Sequence, residues 1–347
     1  MILNSHIATL NELPDPPEGI VGWPWTIEIK QLKSSFSNVR QWPKISIVTP
    51  SFNQAQFLEE TIRSVILQNY PNFEYIIIDG GSTDRSIEII KKYSRWLKYW
   101  ISEPDNGQSH AINKGFARAD GKIFGYINSD DFYEPGTFQT IAEVFIKNPN
   151  CNLVAGECII LNGDITSRFI KPWWPQNLSH FVKKTYSSTF AQPASFWTKT
   201  IFNQLGGFDE SLNYCFDREF FLRMGLKGIS PFLIPQKIAR FRKHPDSKTM
   251  KQGIEFHRES VKILFKHANP CGIDRIERKK IKKNIKNEIK YIEIFSLWNK
   301  KGRKYAILHY IKMIMCSPTL LFQRKILGQG RRLFLFKAKN VAELKMV

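Results

Sequence analysis

The first sustained apolar run follows a proline-rich leader (Pro14, Pro16, Pro17, Pro24) and reads Ile45-Ser46-Ile47-Val48-Thr49, which predicts a buried strand stopped by Pro50. Leu58, Ile62, Val65 and Ile66 then recur at helical spacing. A second strand, Tyr75-Ile76-Ile77-Ile78, enters the loop Asp79-Gly80-Gly81-Ser82-Thr83-Asp84, and a helix follows through Ile87, Ile90 and Tyr93. A short strand from Tyr99 to Ser102, a helix from Ser109 to Ala119 and a strand from Ile123 to Ile127 continue the alternation, which predicts a mostly parallel sheet. Pro135 suits the first turn of a helix reaching Lys147, and Asn162-Gly163 between two β-like runs predicts a hairpin turn. Beyond it, residues 170–215 read as aromatic and loop-rich, and residues 255–347 as helical with basic residues interrupting the apolar positions.

The length, 347 residues, allows one large α/β domain with an appendage. Hydrophobic residues at 42%, with 26 Phe, fill a core and argue against a disordered chain. The predicted organisation is a leader (1–43), a nucleotide-binding half (44–150) and an acceptor half (151–255) of one domain, and a basic helical region (256–347). Charge sharpens that division: residues 261–347 hold 22 Lys+Arg against 5 Asp+Glu, while residues 1–260 hold 29 against 26. Five cysteines without a C-x-x-C pair suggest neither a zinc site nor a disulfide framework, which fits a reducing cytoplasm. The N-terminal stretch does not read as a signal peptide, and no run reaches the ~18 apolar residues of a spanning helix.

In an open parallel sheet, ligands bind beyond the carboxyl ends of the strands. There this chain places Pro50-Ser51-Phe52-Asn53, then Asp79, then Asn128-Ser129-Asp130-Asp131. Asp130 and Asp131 could hold a hard divalent cation, Mn²⁺ or Mg²⁺, against a diphosphate; alternatively they are acids at a helix N-terminus.

Six ordered motifs resemble the family 2 glycosyltransferases: Pro50-Ser51-Phe52-Asn53, Asp79 to Asp84, Ala111-Ile112-Asn113-Lys114-Gly115, Asn128 to Asp131, Gly206-Gly207-Phe208-Asp209 and Asp217-Arg218-Glu219-Phe220. The resemblance spans about residues 44 to 250. It implies a GT-A-like nucleotide-binding fold and inverting, metal-dependent transfer from a nucleotide-sugar, a UDP-sugar foremost, to a glycan or lipid-linked acceptor in cell-surface polysaccharide biosynthesis. It further implies that Phe52 lies against the base, that Asp79 contacts base or ribose, and that Asp130 is the principal metal ligand. Pro50, Lys114, Asn128 and Ser129 join the donor site and Asp131 the metal site, while His244 could approach the metal or diphosphate or be a structural loop histidine. The chain departs from the family pattern at Gly80, where many members carry a second acid, and at Asn128, which replaces the first acid of the metal motif. Packing for Phe52, helix capping for Asp79 and a solvated role for Lys114 are the plain alternatives.

Inverting transfer needs a base to take the acceptor's proton. The resemblance favours Asp217, with Glu219 the runner-up; two apart at a helix start, they point in different directions, and capping is the alternative for Asp217. Trp173, Trp174, Tyr186, Phe190 and Trp197 offer flat faces to sugar rings or pack inside.

A dehydrogenase would need a G-x-G-x-x-G fingerprint after the first strand, and none is present. The basic tail, with Tyr291, Phe295, Trp298, Phe334 and Phe336, raises nucleic-acid binding as the alternative function. Tyr305 to Leu327, with Ile307, Leu308, Ile311, Ile314 and Met315 among basic residues, favours peripheral contact with the anionic inner face of the plasma membrane.

Overall fold

A computed structural model of the chain describes residues 8–29, 42–163, 165–174, 190–248, 253–267 and 303–316, with single positions between 275 and 293. Two compact units divide it, residues 1–175 with 187–243 and residues 176–186 with 244–347.

The first unit is built on one sheet. Strands β1 (Ile45–Ser51), β2 (Phe73–Asp79), β3 (Tyr99–Ser102) and β4 (Ile123–Tyr126) pair in parallel in the order β3-β2-β1-β4. Helices α1 (Ala55–Ile66), α2 (Ser86–Lys92) and α3 (Gln108–Phe116) make the crossovers. β1 and β2 are apolar on both faces, as strands covered on both sides must be, and Ile45, Ile47, Val48, Ile76 and Ile77 are fully buried. On α1 the positions Leu58, Ile62, Val65 and Ile66 are buried, as their spacing predicts.

Pro50 does not stop β1, which continues through it to Ser51. Pairing with β4 ends at Val48 opposite Tyr126, whereas pairing with β2 runs on to Ser51 opposite Asp79. The N–H that proline lacks therefore falls where the sheet has already lost its strand on one side.

Beyond β4 the sheet becomes mixed. It adds β5 (Phe132–Tyr133), β6 (Leu153–Asn162), β7 (Ile165–Ile170), β8 (Ser195–Thr198) and β9 (Phe232–Lys243). β8 lies antiparallel to β4 and β6, β9 parallel to β6, and β5 antiparallel to β9. The predicted hairpin joins β6 to β7 through Gly163. Helix α4 (Thr137–Lys147) is capped by Gly136 at φ 78°, so Pro135 stands just before its first turn rather than in it.

Residues 190–215 are more ordered than their composition predicts: β8 and α5 (Lys199–Leu205) lie there, followed by α6 (Phe216–Leu226). Trp197 is fully buried, with ring centroids of Phe208 and Phe220 at 6.0 and 5.4 Å. Phe190 is also buried, against Phe221. Both are core, not faces for sugars. Tyr186 lies outside the described residues.

Part of the leader also enters this unit. Ala8 and Leu13 belong to its core. The buried guanidinium of Arg63 donates to the carbonyls of Pro14 (2.9 Å), Pro24 (3.1 Å) and Trp25 (3.1 Å) and to the Tyr93 hydroxyl (3.1 Å).

In the second unit, α7 (Gly253–His267) and α8 (Arg303–Cys316) are the long helices described. Ala306, Tyr310 and Met313 of α8 are buried, while Tyr305, Leu308, Ile311 and Met315 are exposed. Among the described residues no helix is long and apolar enough to cross a membrane. The aromatic residues from Tyr291 to Trp298 and at 334 and 336 lie outside the described residues.

Candidate functional site

Because β1, β2 and β4 are parallel, their C-terminal loops gather at one edge of the sheet. Phe52, just past β1, is 58% exposed, which excludes the packing alternative. Its neighbour Asn53 takes φ 51° and ties two loops together: its N–H donates to Ser82 Oγ (2.8 Å) and its Oδ1 accepts the Thr83 N–H (2.8 Å). Asp84 accepts the Ala55 N–H (2.9 Å) at the start of α1.

Asp79 is fully buried. It accepts the Ser82 N–H (2.8 Å), the Ser82 hydroxyl (2.6 Å), the Ser102 hydroxyl (2.7 Å) and the Gly81 N–H (3.2 Å). Three of these donors meet Oδ2 and one meets Oδ1. Asp79, expected against the base or ribose, shapes the loop after β2 through these bonds.

After β4 the chain turns through Asn128 to Asp131. The single hydroxyl hydrogen of Thr61 on α1 is shared between the carbonyls of Asp131 (2.7 Å) and Ser129 (3.0 Å), which ties that turn to the helix. Asp131 is fully buried; it accepts the backbone N–H of Arg242 (2.9 Å) and lies 3.3 Å from Asn128 Nδ2. Burial, then the charge of Asp130, pushes its carboxyl well above the usual carboxylate range. Expected beside Asp130 as a metal ligand, Asp131 is sealed into the frame, and Asp130 is the half-buried acid of the pair. Among the described residues no three His, Cys, Asp or Glu side chains converge into a metal-holding group. One half-exposed carboxylate nonetheless suits Mg²⁺ or Mn²⁺, which take their other ligands from substrate phosphates and water.

Arg242 organises this loop, and sequence reasoning missed it. Its guanidinium pairs with Glu60 (2.5 Å), donates to the Asp130 carbonyl (3.0 Å) and lies 4.6 Å from the Phe57 ring centroid. The signal was an Arg in the strand that ends just before His244. Gln108, at the start of α3, was also missed; it donates to Asn128 Oδ1 (2.6 Å).

α3 ties the two halves of the site. Ser109 donates to the Leu212 carbonyl (3.1 Å). Asn113 brackets Phe208, donating to its carbonyl (2.9 Å) and accepting its N–H (2.9 Å). Gly207, at φ 76°, has its missing Cβ only 2.9 Å from Asn113 Oδ1, so two matched motifs are one structural contact. Lys114 is ion-paired with Glu103.

The first turn of α6 settles which acid faces outward. Glu219 is fully buried, its two oxygens holding Arg223 at 2.9 and 2.8 Å, and Arg223 in turn donates to the Leu205 and Gly207 carbonyls. The runner-up base is thus a structural ion pair. Asp217 is half-buried; burial, then the charges of Asp217 and Asp131, raises the hydroxyl of Tyr126, the last residue of β4, well above its ordinary range. Phe216 packs on the same Tyr126, ring centroids 6.2 Å apart. His244 belongs to the second unit, where it is buried and its carbonyl accepts the Ser247 N–H (3.0 Å).

The family profile described as Glycosyl transferase family 2 matches residues 46–204. An uncharacterized glycosyltransferase of Mycobacterium tuberculosis is 32% identical over 187 residues, 53% of this chain and 70% of that one. The chain belongs to glycosyl transferase family 2. The putative teichuronic acid biosynthesis glycosyltransferase TuaG of Bacillus subtilis is 31% identical over 112 residues, 31% of this glycosyltransferase and 44% of TuaG. Two solved structures share its GT-A fold. S. aureus TarS 1–349 in complex with UDP-GlcNAc has a TM-score of 0.54 at 16% identity, covering 84% of this enzyme and 81% of that chain. The Pyrobaculum calidifontis mannosyltransferase PcManGT in complex with GDP-Man and Mn²⁺ has a TM-score of 0.54 at 15% identity, covering 85% of each. The nucleic-acid alternative gains no support from these likenesses. The profile match takes in Phe52, Asp79 and Asp130 and ends before Asp217.

Proposed function

We propose that this glycosyltransferase is an inverting, metal-dependent enzyme that moves a sugar from a nucleoside-diphosphate donor, a UDP-sugar foremost, to a glycan or lipid-linked acceptor in cell-surface polysaccharide biosynthesis. The observation that carries the reading is an exposed aromatic ring, Phe52, together with two half-buried carboxylates, Asp130 and Asp217, each close in sequence to a fully buried acid. Phe52 would carry the base. Asp130 would hold Mn²⁺ or Mg²⁺, with Asn128 and Ser129 shaping its turn. When bound, the cation neutralises charge on the departing diphosphate. Asp217 takes the acceptor's proton as its oxygen attacks the anomeric carbon, opposite the departing nucleotide.

The donors named with TarS and PcManGT, UDP-GlcNAc and GDP-Man, and the biosynthetic role named for TuaG support the substrate class. The exposed apolar residues of α8 and the basic tail support an anionic membrane surface as the place of work. A thermal-shift screen of UDP- and GDP-sugars with and without Mn²⁺ tests the reading: a donor stabilises the protein by mass action, and more so with the cation. No shift with any nucleotide-sugar at millimolar concentration would overturn it.

A further inference from the structure

Beside Phe52 the space over Gly80 is taken by a carboxylate from another loop. A Cβ placed on Gly80 would lie 2.7 Å from Asp105 Oδ2 and 3.4 Å from Phe52 Cδ2. The tip of the Asp105 side chain, which belongs to the loop after β3, therefore fills the space a residue-80 side chain would take, next to the edge of the exposed ring. Its other oxygen, Oδ1, accepts the Gly107 N–H at 2.8 Å, which anchors the carboxylate at the entrance to α3. Asp105 itself is half-buried, whereas Asp79 at the end of β2 is fully buried and receives hydrogen bonds from Gly81, Ser82 and Ser102.

A base stacked on Phe52 turns its hydrogen-bonding edge toward the groups flanking that ring. An ionised carboxylate only accepts hydrogen bonds. Opposite Asp105 it favours a base with a ring N–H, which uracil carries at N3 and guanine at N1. Cytosine and adenine present a bare ring nitrogen at the corresponding positions, and its lone pair would face the carboxylate. We propose that Asp105 is a specificity-determining residue that selects the donor's base by accepting a ring N–H from a uracil or guanine stacked on Phe52. This rests on the reading of the site as a nucleotide-sugar site.

Titration calorimetry on the full chain with UDP, GDP, CDP and ADP in Mn²⁺ tests it, with Asp105→Asn and Gly80→Ala beside the wild type. Asp105→Asn keeps an oxygen for the Gly107 N–H and replaces the acceptor over Gly80 with an amide donor. Gly80→Ala puts a methyl where Asp105 Oδ2 now lies; Gly80 is outside the left-handed region and the displaced atom ends a flexible side chain, so the fold is kept.

The wild type should bind UDP or GDP more tightly than CDP and ADP, and the tighter of those two names the donor. Both variants should lose about ten- to a hundredfold for that nucleotide, the range of a hydrogen bond to a charged group, and hold or gain affinity for CDP or ADP. Unchanged melting temperatures would tie the loss to the site. Variants that keep wild-type affinities and ranking overturn the role of Asp105 alone. A wild type that binds none of the four overturns the nucleotide reading of the site, and the proposal with it.

Discussion

The turn after β4 and the start of α6 lie in different halves of the first unit, and each carries two acids close in sequence. In the turn, Asp131 is fully buried and accepts a backbone N–H from β9, while Asp130 is half-buried. In the helix, Glu219 is fully buried in an ion pair with Arg223, while Asp217 is half-buried. The supports differ, a backbone donor in one and a guanidinium in the other. The division is the same: one carboxylate is consumed by the frame so that its neighbour has a fixed place. A buried acid without such partners would be too costly to keep, so each frame acid marks a position held rigidly.

The largest expected effect separates the two acids of α6. Asp217→Asn keeps the shape of the side chain and removes the proton acceptor, so turnover should fall roughly 10²- to 10⁴-fold with donor affinity near normal. Glu219→Gln should instead lower the melting temperature. Steady-state rates and melting curves on both variants decide, and near-normal turnover in Asp217→Asn would end the assignment.

The turn after β4 should split in the same way, with a smaller cost to the frame. Asp130→Ala should abolish the cation dependence of donor binding in calorimetry and leave the melting temperature alone. Asp131→Ala strands the Arg242 N–H and should lower stability by about 1–3 kcal/mol in urea denaturation. If Asp130→Ala still binds donor in a cation-dependent way, the division fails there.

Glu74, at the opposite end of β2, shows what a frame acid looks like away from any site. Against burial that would raise it, hydrogen bonds from Lys44, Lys98, Ser46 and the Asp120 backbone hold its carboxyl down at about 2. An unfolded Glu releases its proton near ~4.3, so this stabilisation is full above that pH and drains away as pH falls toward the folded value. Glu74→Gln should cost about 3 kcal/mol at pH 7, with the gap to wild type closing between about pH 4 and 2. A gap independent of pH would mean that charge is not its source. The smallest effect is on the ligand's flat face: Phe52→Ala should weaken donor binding about tenfold without touching stability.

Much of the nucleotide half was legible because its signals are local. A strand apolar on both faces followed by helical spacing names its own element, and the motif residues sit at strand ends by construction of the fold. Pro50 misled because the end of β4, a non-local fact, decides whether its missing N–H matters. Which acid of a pair faces outward depends on Thr61, Arg223 and Arg242, residues many positions away, so spacing alone could tell that Asp217 and Glu219 diverge but not which one turns in. Trp197 looked like a sugar platform because an aromatic residue carries no mark of whether other rings surround it. Asp105 was overlooked because its place beside Phe52 exists only once β1, β2 and β3 stand side by side.

The grip of Arg63 on the leader has a consequence of its own. One guanidinium reads three carbonyls from a separate stretch of chain, much as a receptor reads a peptide. A protein begun at residue 44 would carry that receptor empty, without the three carbonyls and the Trp25 ring that the guanidinium lies against. The shortened protein also loses the core contribution of Ala8 and Leu13. The shortened enzyme and a peptide of residues 8–29 should therefore behave as two halves of one fold, each poor alone and restored by mixing.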